Sequence, residues 1–138
     1  YVVRQLAFSP GDRPGALHRH ADDLLRVAEH AAASLNVALA RKYEPGDFYT
    51  GLFTPGGEKA AFVGFGLSPR LVSRHGLALN VCADLAPFGN TDVCGVRGAP
   101  VANAGGDMAG AGAALVSALS RVYGPLVEEP VPAIDPSV

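Results

Sequence analysis

Between residues 17 and 39 the apolar positions Leu24, Ala28, Ala31, Leu35 and Leu39 recur at spacings of three and four. One buried helix face requires that stripe, so the spacing predicts a helix from Leu17 to Leu39. Asp22 and Asp23 fall early in it and Arg41 and Lys42 follow it, an order that suits the helix dipole. Asp22 and Arg26, four apart, pair on the wet side. A second stripe (Met108, Ala111, Leu115, Leu119, Val122) predicts a helix from Asp107 to Tyr123, with Asp107 as N-cap and Gly124–Pro125 as its stop. Elsewhere the pattern favours strands: Tyr1–Phe8, Phe48–Phe53, Lys59–Leu67 and Leu71–Ala83. Ser9–Gly15, Thr54–Glu58 and Leu67–Arg70 are dense in turn residues. Asp84–Gly106 lacks periodicity and reads as an ordered loop region. Strands clustered between two helices predict an α+β layer structure. The division expected is a domain over residues 1–124 and a Pro-rich tail over residues 125–138.

Composition narrows the functional classes. A chain of 138 residues is one domain's worth, and with 49% apolar and 17% charged residues it can bury a core. The formal charge of −2 and the scattered Lys and Arg argue against nucleic acid as a partner. No apolar run approaches the ~18 residues of a membrane span, and the opening YVVRQLAF lacks the features of a secretion signal. Two cysteines, Cys82 and Cys94, make neither a disulfide framework nor a zinc site. A reducing, cytoplasmic setting with no bound metal is the expectation.

Among residues able to carry chemistry, Cys94 lies in DVCGVRG. Gly95 behind it allows backbone N–H groups to approach a bound carbonyl oxygen. The thiolate is the reactive form of a cysteine, and a nearby cation favours it. An inert cysteine beside a turn is nonetheless the commoner use of such a dipeptide. Lys59 opens a strand after a glycine turn; a solvated hairpin lysine is the ordinary case. Partly desolvated beside a thiol, it would hold the thiolate and shuttle protons. His75 opens the alternating HGLALNV and is either a base for Cys94 or a hydrogen-bonded structural residue. Gly76 marks a close backbone approach to a ligand. His18 and His20 cannot share a helical face and read as solvated, not metal-binding, as does His30. Cys82 continues the alternation, so packing is its default role; a redox pair with Cys94 is the other. The run Gly110–Leu119 lacks the ending of a phosphate loop and suits close helix packing.

Three segments together resemble the lipoyl (octanoyl) transferase family of protein acyltransferases. TGLFTPGGEKAAFVGFG is similar to the family's Gly-x-Lys-Ile-Ala-Ser/Ala-Ile-Gly strand, with Lys59 at the lysine. HGLALNV is close to His-Gly-Phe/Leu-Ala-Leu-Asn-Val. ADLAPFGNTDVCGVRG resembles Asp-Leu…Phe…Pro-Cys-Gly-Ile, and the His75-to-Cys94 separation agrees as well. The likeness runs from about Tyr1 to Val101. The family's N-terminal Arg-Gly-Gly and His-Gly-Pro-Gly motifs are absent from this sequence. Val93 also stands where the family often has proline, and RGAPVANAGG replaces its Val-Thr-Ser continuation.

The resemblance implies a biotin/lipoate-ligase-like α+β fold, incomplete at its N-terminal side. It implies movement of an octanoyl group from acyl carrier protein to a lysine of a lipoyl domain, in a 2-oxoacid dehydrogenase or the glycine cleavage H protein. Cys94 would carry the acyl group as a thioester and Lys59 would exchange protons with thiol and amine. Phe62, Val63, Gly64, His75, Gly76, Leu77 and Ala78 would line the acyl path. No cofactor is implied. Three other readings stay open: a non-catalytic remnant that binds an acyl chain or carrier protein, a Cys82/Cys94 redox module, and an ATP-using lipoate ligase.

Overall fold

A computed structural model of the chain describes residues 13–42, 49–69 and 71–127. The strand expected over Tyr1–Phe8, the start of the Phe48–Phe53 strand and residues 128–138 of the tail lie outside them. In chain order the elements are α1 (Arg13–Ser34), β1 (Gly51–Phe53), β2 (Lys59–Leu67), β3 (Ser73–Leu79), a 3₁₀ turn at Ala86–Asn90, β4 (Asp92–Val93), β5 (Val96–Arg97) and α2 (Met108–Tyr123). The architecture is α+β.

Helix α1 differs from the helix predicted by periodicity at both ends. It begins at Arg13, inside the run assigned to a turn, and Pro14 is tolerated there because a first-turn N–H needs no intrahelical partner. It stops at Ser34 because Asn36 takes a left-handed conformation with φ of 55°. The Val37 N–H then bonds Ala32 O at 2.9 Å and the Asn36 N–H bonds Ala33 O at 3.1 Å, a Schellman cap with asparagine in the glycine position. Asp22 and Asp23 are therefore mid-helix, and no acidic residue occupies the first turn or basic residue the last. Arg41 answers neighbouring carboxylates instead of the dipole. Its guanidinium donates to Glu29 Oε1 at 2.6 Å and Oε2 at 2.9 Å, and also to Asp22. Arg26 pairs with Asp22 at 3.1 Å, as its spacing predicts.

The main sheet is antiparallel in the order β1-β2-β3, and β2 keeps its sequence-predicted bounds. On one side α1 closes it: Ala28 packs with Leu52 and Ala61, and Leu39, although beyond the helix, joins that cluster. Helix α2 packs on α1 through Ala114 and Ala118 against Val27 and Ala31, small side chains that let the two helices approach closely. This close packing accounts for Gly110–Leu119. Asp107 caps α2 by accepting the Gly110 N–H at 2.8 Å, and Gly124 ends it with φ of 87°. A separate cluster of Phe53, Val93 and Ala99, flanked by Tyr49, Phe62 and Phe88, joins the sheet to the β4–β5 hairpin.

Two sequence expectations are corrected here. His20 is 4% exposed, not solvated, because it shares the α1 stripe with Ala16 and Leu24; its ring meets Phe65 edge-on at 4.6 Å. Cys82 is exposed and does not pack, because β3 ends at Leu79 and the chain turns before reaching it.

Candidate active site

A single extra residue in β2 aims the lysine. Leu52 opposes Ala61, yet the next residue of β1, Phe53, opposes Lys59, so Ala60 is a bulge. Without it Lys59 would lie two residues from Ala61 on the same face, toward α1. The bulge reverses the alternation and turns Lys59 to the side of Phe53 and Phe62, a re-aiming for which bulges are suited. Gly51 makes room for the lysine stem: a Cβ there would lie 2.6 Å from Lys59 Cε and 2.2 Å from Ala61 O. The Lys59 backbone is held on its other side by residues 100–102, through Lys59 N–H to Pro100 O at 2.8 Å and Ala102 N–H to Lys59 O at 3.0 Å.

Lys59 is 0% exposed. Its Nζ stands 4.9 Å from the Phe62 ring centre and 5.9 Å from that of Phe53, within cation–π range. Desolvation by these surroundings pushes its pKa below the ordinary 10.5, opposed by the attraction of Cys94 and the hydrogen bond to it.

The thiol comes from the loop region that periodicity left without elements. Val93 pairs with Val96 across β4–β5, leaving Cys94 and Gly95 as a two-residue turn. Both have positive φ, 50° and 80°, the signature of a type I′ hairpin. Gly95 accepts that conformation freely; Cys94 holds it at a cost of roughly 1–2 kcal/mol. Val93 is buried in the aromatic cluster and anchors the hairpin, while Cys94 is exposed at its tip. Lys59 Nζ donates to Cys94 Sγ at 3.8 Å across 35 residues of sequence. A buried amine thus backs a thiol that opens to solvent.

The other residues singled out by sequence fall elsewhere. His75 opposes Phe65 in the β2–β3 register, six positions along β2 from Lys59, or roughly 20 Å at strand rise. The polar group that meets the Cys94 sulfur is Lys59. His75 is exposed, with φ of 67°. Phe62, Gly64, His75, Gly76, Leu77 and Ala78 all border one cavity of about 720 Å³ that α1 and α2 complete; Val63, Lys59 and Cys94 do not line it. Three contributors were invisible to pattern reading: Phe53, Gly51 and Phe88, whose ring stacks on Phe62 at 6.3 Å. Only the Val-Cys-Gly-Val turn had left a usable signal, a glycine-containing pair between β-branched residues.

Among the described residues, no group of three or more His, Cys, Asp or Glu is arranged to hold a metal ion, and no helix is long and apolar enough to cross a membrane. No family model matches the chain. Curated relatives do. An octanoyltransferase of Geobacter sulfurreducens is 38% identical over 135 residues, covering 92% of this chain and 54% of that protein. Over most of its own length the chain is homologous to octanoyltransferases. The octanoyltransferase of Geobacter metallireducens is 42% identical over 91 residues, or 66% of this chain and 40% of that one. That of a Nostoc species is 35% identical over 88 residues, 62% and 39% respectively. The chain thus spans about half the length, or less, of the octanoyltransferases it matches. Its α+β architecture agrees with the fold that the resemblance implies for the family.

Proposed function

We propose that this chain carries the thiol and amine of an octanoyl transfer, accepting the acyl group from acyl carrier protein on Cys94 and passing it to a lysine of a lipoyl domain. The observation carrying the reading is the 3.8 Å approach of the buried Lys59 ammonium to the exposed Cys94 sulfur; similarity to octanoyltransferases supplies the acyl group. In the first step the thiolate attacks the donor thioester carbonyl, the new C–S bond forms, and the carrier thiolate leaves with a proton from Lys59. In the second, the acceptor amine attacks the Cys94 thioester, the C–N bond forms, and Cys94 departs as thiolate. Lys59, neutral after the first step, takes the amine's proton. A group that must alternate between charged and neutral works best with a pKa near the working pH, and the downward displacement of Lys59 moves it that way. The Gly95 N–H, next to the thiol, is the backbone donor this reading assigns to the acyl oxygen.

The test is intact-mass analysis after incubation with octanoyl-carrier protein. An octanoyl adduct is expected on the protein and none on Cys94→Ser; an adduct that survives Cys94→Ser refutes the reading. The redox alternative is less well supported, since Cys82 and Cys94 are both free thiols and the polar partner of Cys94 is Lys59.

A further inference from the structure

Phe62 bears on both halves of the site. In the register of β1 with β2 its partner is Gly51. Because Gly51 has no side chain, the lysine stem can run past it, with Lys59 Cε 2.6 Å from where a Cβ would stand. Across from that gap the Phe62 ring has its centre 4.9 Å from Lys59 Nζ. An ammonium so placed is attracted by the ring's quadrupole, which offsets part of the rotamer freedom a lysine gives up on ordering. The same ring stacks on Phe88 at 6.3 Å with 15° between the planes. Phe88 belongs to the 3₁₀ turn Ala86–Asn90, which runs into β4 and so into the thiol hairpin. Val93, the residue before the thiol, sits in the cluster that Phe62 and Phe88 flank. In the Lys-Ile-Ala-Ser/Ala-Ile-Gly strand that the lysine segment resembles, the place of Phe62 is held by Ser or Ala. The ring is therefore a feature of this chain and not of the likeness.

We infer that Phe62 is a positioning residue: its ring fixes the Lys59 ammonium and the Phe88 turn relative to one another, and so holds the amine against the Cys94 sulfur. This deepens the proposed transfer and rests on it for its biological meaning, but charge at the thiol is measurable without an acyl donor. In a Cys82→Ser background, Cys94 is alkylated at neutral pH with iodoacetamide and, separately, with iodoacetate. In each case the thiolate attacks the methylene carbon, the C–S bond forms and iodide leaves. Both reagents need the same thiolate, so its amount and exposure cancel in the rate ratio. What remains is the attraction of the nearby ammonium for the anionic reagent. The iodoacetate-to-iodoacetamide ratio should fall about threefold in Phe62→Leu, the scale of one unit charge withdrawn from another in water. The fall should be smaller in Phe88→Ala, and Phe62→Tyr, which keeps the ring, should hold the wild-type ratio. In Lys59→Met the ratio should already be low, and adding Phe62→Leu should leave it there, which a change in packing alone would not do. With each protein folded by circular dichroism, a wild-type ratio in Phe62→Leu overturns the assignment. So does an equal fall in Phe62→Tyr, a further fall on adding Phe62→Leu to Lys59→Met, or a wild-type ratio no higher than that of Lys59→Met. Should Phe62→Leu not fold, Phe88→Ala decides by the same ratio. Absence of an octanoyl adduct on Cys94 while the ratio still responds removes the transfer and leaves the positioning; an adduct with a ratio indifferent to residue 62 does the reverse.

Discussion

The two sides of the β1-β2-β3 sheet are built by opposite means. Toward α1 the chain uses alanines, a valine and leucines in ordinary conformations, and Val27, Ala28, Ala31, Leu52 and Ala61 are all fully buried. Toward the hairpin it uses a bulge, a left-handed cysteine, a glycine that no other residue could replace, and a buried lysine between two aromatic rings. Every one of those devices costs stability, and all of them converge on one amine and one sulfur. The helix side supplies the stability that the hairpin side expends. Substitutions should therefore separate: changes on the hairpin side alter chemistry with little loss of fold, and changes on the helix side do the opposite.

The largest separation is expected from Lys59→Met. Octanoyl transfer should fall by about 10²–10⁴-fold, the usual worth of a proton-exchanging group, in single-turnover assays. Stability at neutral pH should rise by on the order of 1 kcal/mol, because an apolar chain of similar length replaces a buried charge. The pH dependence has a fixed sign. Lys59 has a folded-state pKa below 10.5, so the unfolded chain binds the proton more tightly and the wild type gains stability as pH rises from the folded value toward 10.5. The melting-temperature gap between variant and wild type should narrow over that window; a gap that widens contradicts the burial argument. Next, Ala31→Leu should overpack the α1–α2 contact and cost about 1–3 kcal/mol in denaturant melts, while the iodoacetamide reactivity of Cys94 in the folded protein stays within about twofold.

Much of this contrast was legible in the sequence on the helix side and little of it on the hairpin side. The stripe of α2 and the Asp107 cap were readable because each depends on residues within a turn or two. Strand β2 was readable to the residue. Asn36 was a readable stop that the longer periodicity of Leu35 and Leu39 outweighed. His20 was also placed by its own stripe, four residues before Leu24, but its polarity suggested solvent. No local pattern, in contrast, announces that Ala60 is an extra residue, since a bulge is defined by its partner strand. The meeting of Lys59 with Cys94 was implied only by family resemblance, for spacing of 35 residues carries no geometric content.

Two smaller perturbations sharpen the comparison. Gly95→Ala places a side chain at φ of 80° where nothing stands within 4 Å of the new Cβ, so its cost is backbone strain alone, roughly 1–2 kcal/mol. The hairpin should loosen and Cys94 labelling kinetics should change, with α1 and α2 retaining their amide protection. The smallest effect belongs to Asp22, whose carboxyl Arg41 holds below its usual 3.8, first through a hydrogen bond. The stabilisation this gives is complete above that value and lost as pH falls through the folded-state pKa. An acid melt series should find Arg41→Met less pH-sensitive than wild type below about pH 4, with thiol reactivity unaltered throughout.

Because Lys59 pairs with Phe53 on one edge and with the Pro100–Ala102 stretch on the other, its backbone occupies an interior lane of hydrogen bonding. Fraying at a chain end or breathing of a loop does not release it. The backbone of Lys59 is released only when hydrogen bonds on both flanks open together. Amide exchange at Lys59 should therefore track cooperative melting of the sheet, even where the hairpin carrying the thiol opens earlier.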